Sequence, residues 1–100
     1  MVQRRALIIS PGDNVANVLE DVAAGEEIAA RLGTEAVAVQ AVERIPFGFK
    51  VALEDVPAGE QVRKYGEVIG RASQTIKRGQ LVHVHNLEGA RGRGDLQKSR

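Results

Sequence analysis

Apolar and polar positions alternate with a period of two through much of the chain. In EAVAVQAV, Val37, Val39 and Ala41 alternate with Ala38, Gln40 and Val42. In FGFKVAL, Phe47, Phe49, Val51 and Leu53 fall on one face. In QLVHVHN, Val82 and Val84 fall on one face and His83 and His85 on the other. Period two predicts strands, because successive side chains of an extended chain point to opposite sides. Turn signals separate the runs, at Pro11 to Asn14, Leu32 and Gly33, Pro46, Tyr65 and Gly66, and Arg78 and Gly79. Short strands between close turns predict a mostly β domain of the folded-ribbon or barrel-like kind. Residues 14–30, rich in Ala, Glu and Leu, predict one or two short helical turns, interrupted at Gly25.

One pattern recurs. LEDVAAGEEI at residues 19–28, LEDVPAGEQV at 53–62 and SQTIKRGQLV at 73–82 share a layout. Each has a polar pair, Val or Ile, two linking residues, Gly, Glu or Gln, one further residue, then an aliphatic. The first aliphatic is expected in the core, and the second begins a strand. Gly25, Gly59 and Gly79 suit a backbone geometry that side chains resist. The spacing is irregular and the unit small, so this is one turn idiom reused within a domain, not a solenoid.

Composition narrows the picture. With 100 residues the chain suits one domain. Its 43% apolar content and 27% charged content read as globular. A net charge of +1, from 14 basic and 13 acidic residues, gives no footprint for DNA or RNA. There is no cysteine, hence no disulfide framework. No apolar run reaches transmembrane length. The expectation is a soluble, cytoplasmic protein whose domain occupies residues 1–87. The Arg/Gly-rich tail at residues 88–100 reads as a mobile or partner-binding arm.

The candidate chemistry is sparse. On a strand, His83 and His85 share a face and could give two ligands to one divalent metal, act as acid and base, or simply face solvent. A metal would need a further ligand from Asp, Glu or another chain. Asn86 could cap a turn or fix an imidazole tautomer. Asp13 and Asn14 follow a Pro-Gly pair and favour a tight turn. Lys50, Lys64 and Tyr65 could bind a carboxylate or tune a proton transfer; as isolated residues they read as surface lysines and one half-buried phenol.

In order, DNVANVLEDVAAGE, IPFGFKVALEDVPAGEQVRKYGEVIGRA, IKRGQLVHVHN and NLEGARGRGD resemble the SAF domain of the altronate/galactarate dehydratase family. The resemblance runs from about Ile8 to Asp95. It implies a β-clip fold, a ribbon folded on itself. It also implies a large partner domain or subunit carrying most of an active site that eliminates water or sulfite from a small hydroxy acid. A divalent metal, iron or manganese, accompanies the dehydratases. The chain would then be the small subunit that completes the site, inactive alone. The resemblance assigns His83 and His85 to catalysis or metal, and Asp13, Asn14, Lys50, Lys64, Tyr65 and Asn86 to substrate. Two positions depart from the family. A histidine usual three residues before the Asp-Asn pair is Ser10, and the motif GHK reads Gly48, Phe49, Lys50. These losses also suit a stand-alone, non-catalytic module for a sugar-acid-like ligand or a protein partner. Exposed strand edges further offer pairing between copies, as a homo-oligomer.

Overall fold

The computed structural model describes residues 3–89. The strands among them are β1 (Arg4–Leu7), β2 (Val15–Val18), β3 (Glu27–Leu32), β4 (Glu35–Gln40), β5 (Lys50–Ala52), β6 (Gln61–Lys64), β7 (Glu67–Ala72), β8 (Leu81–Val82) and β9 (Leu87–Gly89). Six form one sheet in the order β4-β3-β1-β2-β5-β8, and β6, β7 and β9 form a second. β1 and β3 run parallel, while the other neighbours are antiparallel.

The mostly β architecture matches the periodicity, with one difference. No helix forms among the described residues. The stretch expected to make helical turns is instead β2, a tight turn and β3. Its Val15, Ala16 and Val18 are all buried, but against two different cores, which a helical stripe cannot serve.

The recurring idiom is a type II turn. Glu26 N donates to Ala23 O at 3.1 Å, Glu60 N to Pro57 O at 3.0 Å and Gln80 N to Lys77 O at 3.0 Å. The third residue of each turn, Gly25, Gly59 or Gly79, has φ of 88 to 90°, which only glycine adopts cheaply. The structure adds a copy that the sequence pattern hid. Phe49 N donates to Pro46 O at 3.0 Å, with Gly48 at φ 86°. These four copies pair through antiparallel bridges, Val22 with Ile45 and Val56 with Ile76, while a fifth turn of the same form, Ser10 to Asp13 with Gly12 at φ 88° and Asp13 N donating to Ser10 O at 3.2 Å, has no such bridge among the described residues.

Polar residues of the idiom lock these turns. Glu26 accepts from Ala23 N at 2.8 Å and Gln80 from Lys77 N at 2.6 Å. Asp21 accepts from Phe47 N at 2.8 Å and Asp55 from Arg78 N at 2.9 Å, the same position in each partner turn. The domain is therefore a duplicated unit, residues 19–51 and 53–82.

Two cores result. Ala6, Val18, Val22, Ile28, Val39, Ile45 and Val51 belong to the first; Val15, Ala52, Val56, Val62, Ile76 and Val82 belong to the second. Neighbours Val15 and Ala16, and Val51 and Ala52, point into different cores, so β2 and β5 are buried on both faces where the sheets overlap. Phe49 and Leu53 pack on the first core with Val51, as alternation predicts. Phe47 does not: it occupies the second position of the fourth turn and is 64% exposed. β9 carries the second sheet through Gly89, beyond the expected limit at residue 87. The rest of the predicted tail lies outside the described residues.

Candidate functional site

Asp13 and Asn14 act as clamps between distant turns. The Asp13 carboxylate accepts from Ser10 N at 3.0 Å, Tyr65 N at 3.1 Å and Gly66 N at 2.9 Å. Tyr65 and Gly66, at φ 62° and 71°, form the two-residue hairpin turn joining β6 to β7. A tyrosine at positive φ costs about 1–2 kcal/mol, and the Asp13 bonds help to offset it. The Ser10 side chain lies beside Gly66, whose added Cβ would stand 3.5 Å from Ser10 Oγ. Asn14 is 2% exposed. Its Oδ1 accepts from Arg63 N at 2.7 Å, its Nδ2 donates to Gln61 O at 3.0 Å, and its own N donates to Arg63 O at 3.2 Å. It thereby closes the free edge of β6, and its buried amide faces main chain.

Lys50 starts β5 and Lys64 ends β6 beside Tyr65, and the charge of Lys64 reaches Lys50 from the other sheet. Lys50 leaves β5 half-buried. Burial, and secondarily the positive charge of Lys64, hold its ammonium below the ordinary lysine value. Lys64 Nζ lies 4.6 Å from the centre of the Tyr65 ring, a cation–π contact. Among the described residues neither lysine is ion-paired with a carboxylate. A partly buried cation that feels a second positive charge, neither of them ion-paired among the described residues, favours an anionic ligand.

A cleft of about 290 Å³ opens nearby, but its chemistry is opposite. Ile8, Leu32 and Leu53 line it with Asp13, Glu35 and Glu54, a rim that repels a carboxylate.

The histidines do not project from a strand. β8 ends at Val82, and residues 83–86 form a turn. Asn86 N donates to His83 O at 3.0 Å; Asn86 Oδ1 accepts from His83 N at 2.9 Å, and its Nδ2 donates to Leu81 O at 2.8 Å. Asn86, 2% exposed, thus caps the turn. Val84, expected in the core beside Val82, is 80% exposed. His83 is half-buried, its ring edge-on to Phe49 with centroids 4.7 Å apart, and His85 is exposed. Alternation misleads here because the Asn86 side chain turns the backbone before the period can continue. Among the described residues no three His, Cys, Asp or Glu side chains are grouped to hold a metal.

Asn17 was not among the sequence candidates. It sits opposite Lys50 in the β2–β5 pairing and opposite Leu7 in the β1–β2 pairing. Its Nδ2 donates to Gly48 O at 2.8 Å, and among the described residues its buried Oδ1 has no protein partner. The only available signal was one polar residue inside the apolar run VANV.

Fold and site together define a small folded-ribbon β module with two half-buried lysines on β5 and β6 and two imidazoles at the turn after β8. The chain belongs to the altronate/galactarate dehydratase SAF domain family, whose model matches residues 4–90. It is 39% identical to altronate dehydratase of Bacillus subtilis over 76 residues, covering 76% of this chain and 14% of the relative. It is 46% identical over 46 residues to (2R)-sulfolactate sulfo-lyase subunit alpha of Chromohalobacter salexigens, covering 46% of this chain and 49% of the relative. It is 48% identical over 44 residues to galactarate dehydratase (L-threo-forming) of Escherichia coli, covering 44% of this chain and 8% of the relative. The chain therefore spans half or less of these relatives. No helix among the described residues is long and apolar enough to cross a membrane.

Proposed function

We propose that this chain is the SAF component of a cytoplasmic hydroxy-acid lyase in sugar-acid metabolism and completes the active site of a larger dehydratase subunit. Support comes from the family match and from related sequence in a protein named as an alpha subunit. The observation that carries the reading is the partly desolvated Lys50, which feels the charge of Lys64, with neither lysine ion-paired among the described residues. It suits the carboxylate of a small hydroxy acid. Tyr65 holds Lys64 in place, and the Asp13 clamp holds Tyr65.

In such a reaction the C–H bond alpha to the carboxylate breaks and its proton passes to a base. The electron pair then expels hydroxide, leaving as water, or sulfite from the adjoining carbon. Lysines on the carboxylate stabilise the charge that develops there. His83 and His85, at the exposed turn, would contribute acid/base groups at the junction with the large subunit. The described residues do not fit a complete metal site: two imidazoles, one of them packed on Phe49, fall short of a ligand set. The iron or manganese of the complete enzyme is therefore assigned to the partner, with these histidines as added ligands at most.

Co-purification from the native cell tests the reading. A large dehydratase subunit should elute with the chain and carry the metal; a chain that elutes alone contradicts it. The second reading, a stand-alone binding module, is favoured by Phe49, which puts an apolar ring beside His83 where the family motif has an imidazole.

A further inference from the structure

We propose that the outer edge of β4 takes an extended segment of the large dehydratase subunit as an added antiparallel strand, with a lysine or arginine of that segment in the adjoining acidic cleft. The identity of the partner rests on the lyase reading; the edge and the cleft rest on geometry. β4 is the outermost strand of the six-stranded sheet, and among the described residues no strand pairs with its outer side. Leu32 and Glu35 flank the two-residue turn between β3 and β4, and such a turn is closed by a hydrogen-bonded pair. Inward and outward groups alternate along an antiparallel strand, so the main-chain groups of Ala36 and Ala38 point away from β3. Arg78 Nη2 donates to Ala38 O, as that direction requires. Ala36 N, Ala36 O and Ala38 N are left for a partner, on the kind of edge that invites one.

The duplication shows what covers such an edge. The two units match bond for bond where their outer strands end. Ala41 N donates to Glu26 O and Ala72 N to Glu60 O, each at 2.9 Å. Val42 N donates to Gly79 O at 3.0 Å and Ser73 N to Asn86 O at 2.9 Å. Past Asn86 the chain runs on as β9, antiparallel along β7, with Leu87, Glu88 and Gly89 opposite Ala72, Arg71 and Gly70. Past Gly79 it turns away into β8, which pairs with β5. Among the described residues β4 is thus the outer strand without its third strand. A second copy is a poorer occupant. Two such edges paired together engage only a few residues, against roughly 20–30 a side in a stable interface, and they set two acidic rims side by side.

The cleft supplies the specificity. In strand addition, main-chain bonds give affinity and pockets for alternate side chains give selectivity. Ala30, Leu32, Glu35 and Val37 share one face of the β3–β4 hairpin and line the cleft of about 290 Å³. A strand added to β4 lies about 4.8 Å beyond it, so its alternate side chains project beside Glu35 and the partly exposed Val37. The floor there is apolar and the rim acidic. Asp13 is engaged by three main-chain N–H groups and Glu54 by Arg63 at 3.7 Å, while Glu35 has no ion pair among the described residues. An aliphatic stem that ends in a cation suits both floor and rim.

Hydrogen exchange read by NMR, on the full chain alone and bound to the large dehydratase subunit from the same cell, tests this. The Ala36 and Ala38 amides are expected to exchange freely in the chain alone and about a hundredfold more slowly in the complex. Ala36→Pro deletes an outward N–H that β3 does not use, at an edge position where proline is tolerated. It should melt like the parent and bind the subunit about tenfold more weakly. Glu35→Lys should weaken binding to a similar degree by repelling the incoming cation. Protection of both amides in the chain alone, by its own further residues or a second copy, overturns the proposal. So does a complex in which they still exchange freely, or parent-like binding by Ala36→Pro or by Glu35→Lys. If Ala36→Pro does not fold, the exchange pattern and Glu35→Lys decide. A complex with freely exchanging amides refutes the added strand and leaves the lyase reading standing, whereas the absence of any complex refutes both.

Discussion

Phe49 meets His83 edge-on, with ring centroids 4.7 Å apart and an interplanar angle of 60°. Phe49 stands where the family motif carries a histidine, so that position and His83 belong to one cluster. In this chain the cluster holds one imidazole and one apolar ring. Phe49→His should restore an imidazole pair. Its affinity for cobalt(II), followed by absorption, is expected to rise about tenfold over the parent. The cost in stability should be about 1–2 kcal/mol, because Phe49 also packs on the first core. Unchanged cobalt affinity in a folded variant would separate the two positions.

Asn14 and Asn86 are struts. Asn14→Ala strips partners from Gln61 O and Arg63 N in a buried place, at an expected cost of about 2–4 kcal/mol in urea unfolding. Asn86→Ala should cost about 1–3 kcal/mol by opening the turn at residues 83–86. Losses under about 0.5 kcal/mol, within the range of ordinary surface changes, would refute the strut role.

The idiom glycines should differ although their backbones match. Gly25→Ala meets open space and pays only for positive φ, about 1–2 kcal/mol. Gly79→Ala also drives a Cβ into the Gln40 carbonyl oxygen, so a loss of about 3 kcal/mol or more is expected. Equal losses, read from paired melts, would show that the Gly79 turn does not press on β4.

Lys50 is charged at a cost. Its folded-state pKa lies below the ordinary 10.5, through burial and then Lys64. Between the folded and unfolded values the unfolded chain binds more protons, so stability rises with pH. Parent stability relative to Lys50→Met should therefore increase as pH climbs through the alkaline range toward 10.5. At neutral pH the variant should be as stable as the parent or more so. A difference that is flat with pH would mean Lys50 is well solvated.

Much of this fold was legible because its pattern is local. Val22, Val56 and Ile76, each three residues before a glycine, announced three of the four bridged turns. The fourth was hidden because Phe49 stands where the others carry Glu or Gln, although Ile45 and Gly48 keep the spacing. The site was less legible. Asn86 overrides the Val-His alternation through side-chain bonds to residues three and five positions back. The pairing of Asn17 with Lys50 depends on strand register between distant segments, and the charge effect of Lys64 on Lys50 on how the two sheets pack, neither of which periodicity encodes.

The exposed imidazole should matter little to folding. His85→Ala is expected within about 0.5 kcal/mol of the parent, and His83→Ala to cost about 1 kcal/mol through the lost Phe49 contact. A loss of several kcal/mol from His85→Ala would place that ring in the interior.

The most direct measurement is elimination from altronate, galactarate and (2R)-sulfolactate by the chain alone, and by the chain combined with the large dehydratase subunit from the same cell. The account predicts no turnover alone, turnover of one of these acids in combination, and its loss with Lys50→Met. Turnover by the isolated chain, or a combined enzyme indifferent to Lys50→Met, would contradict it.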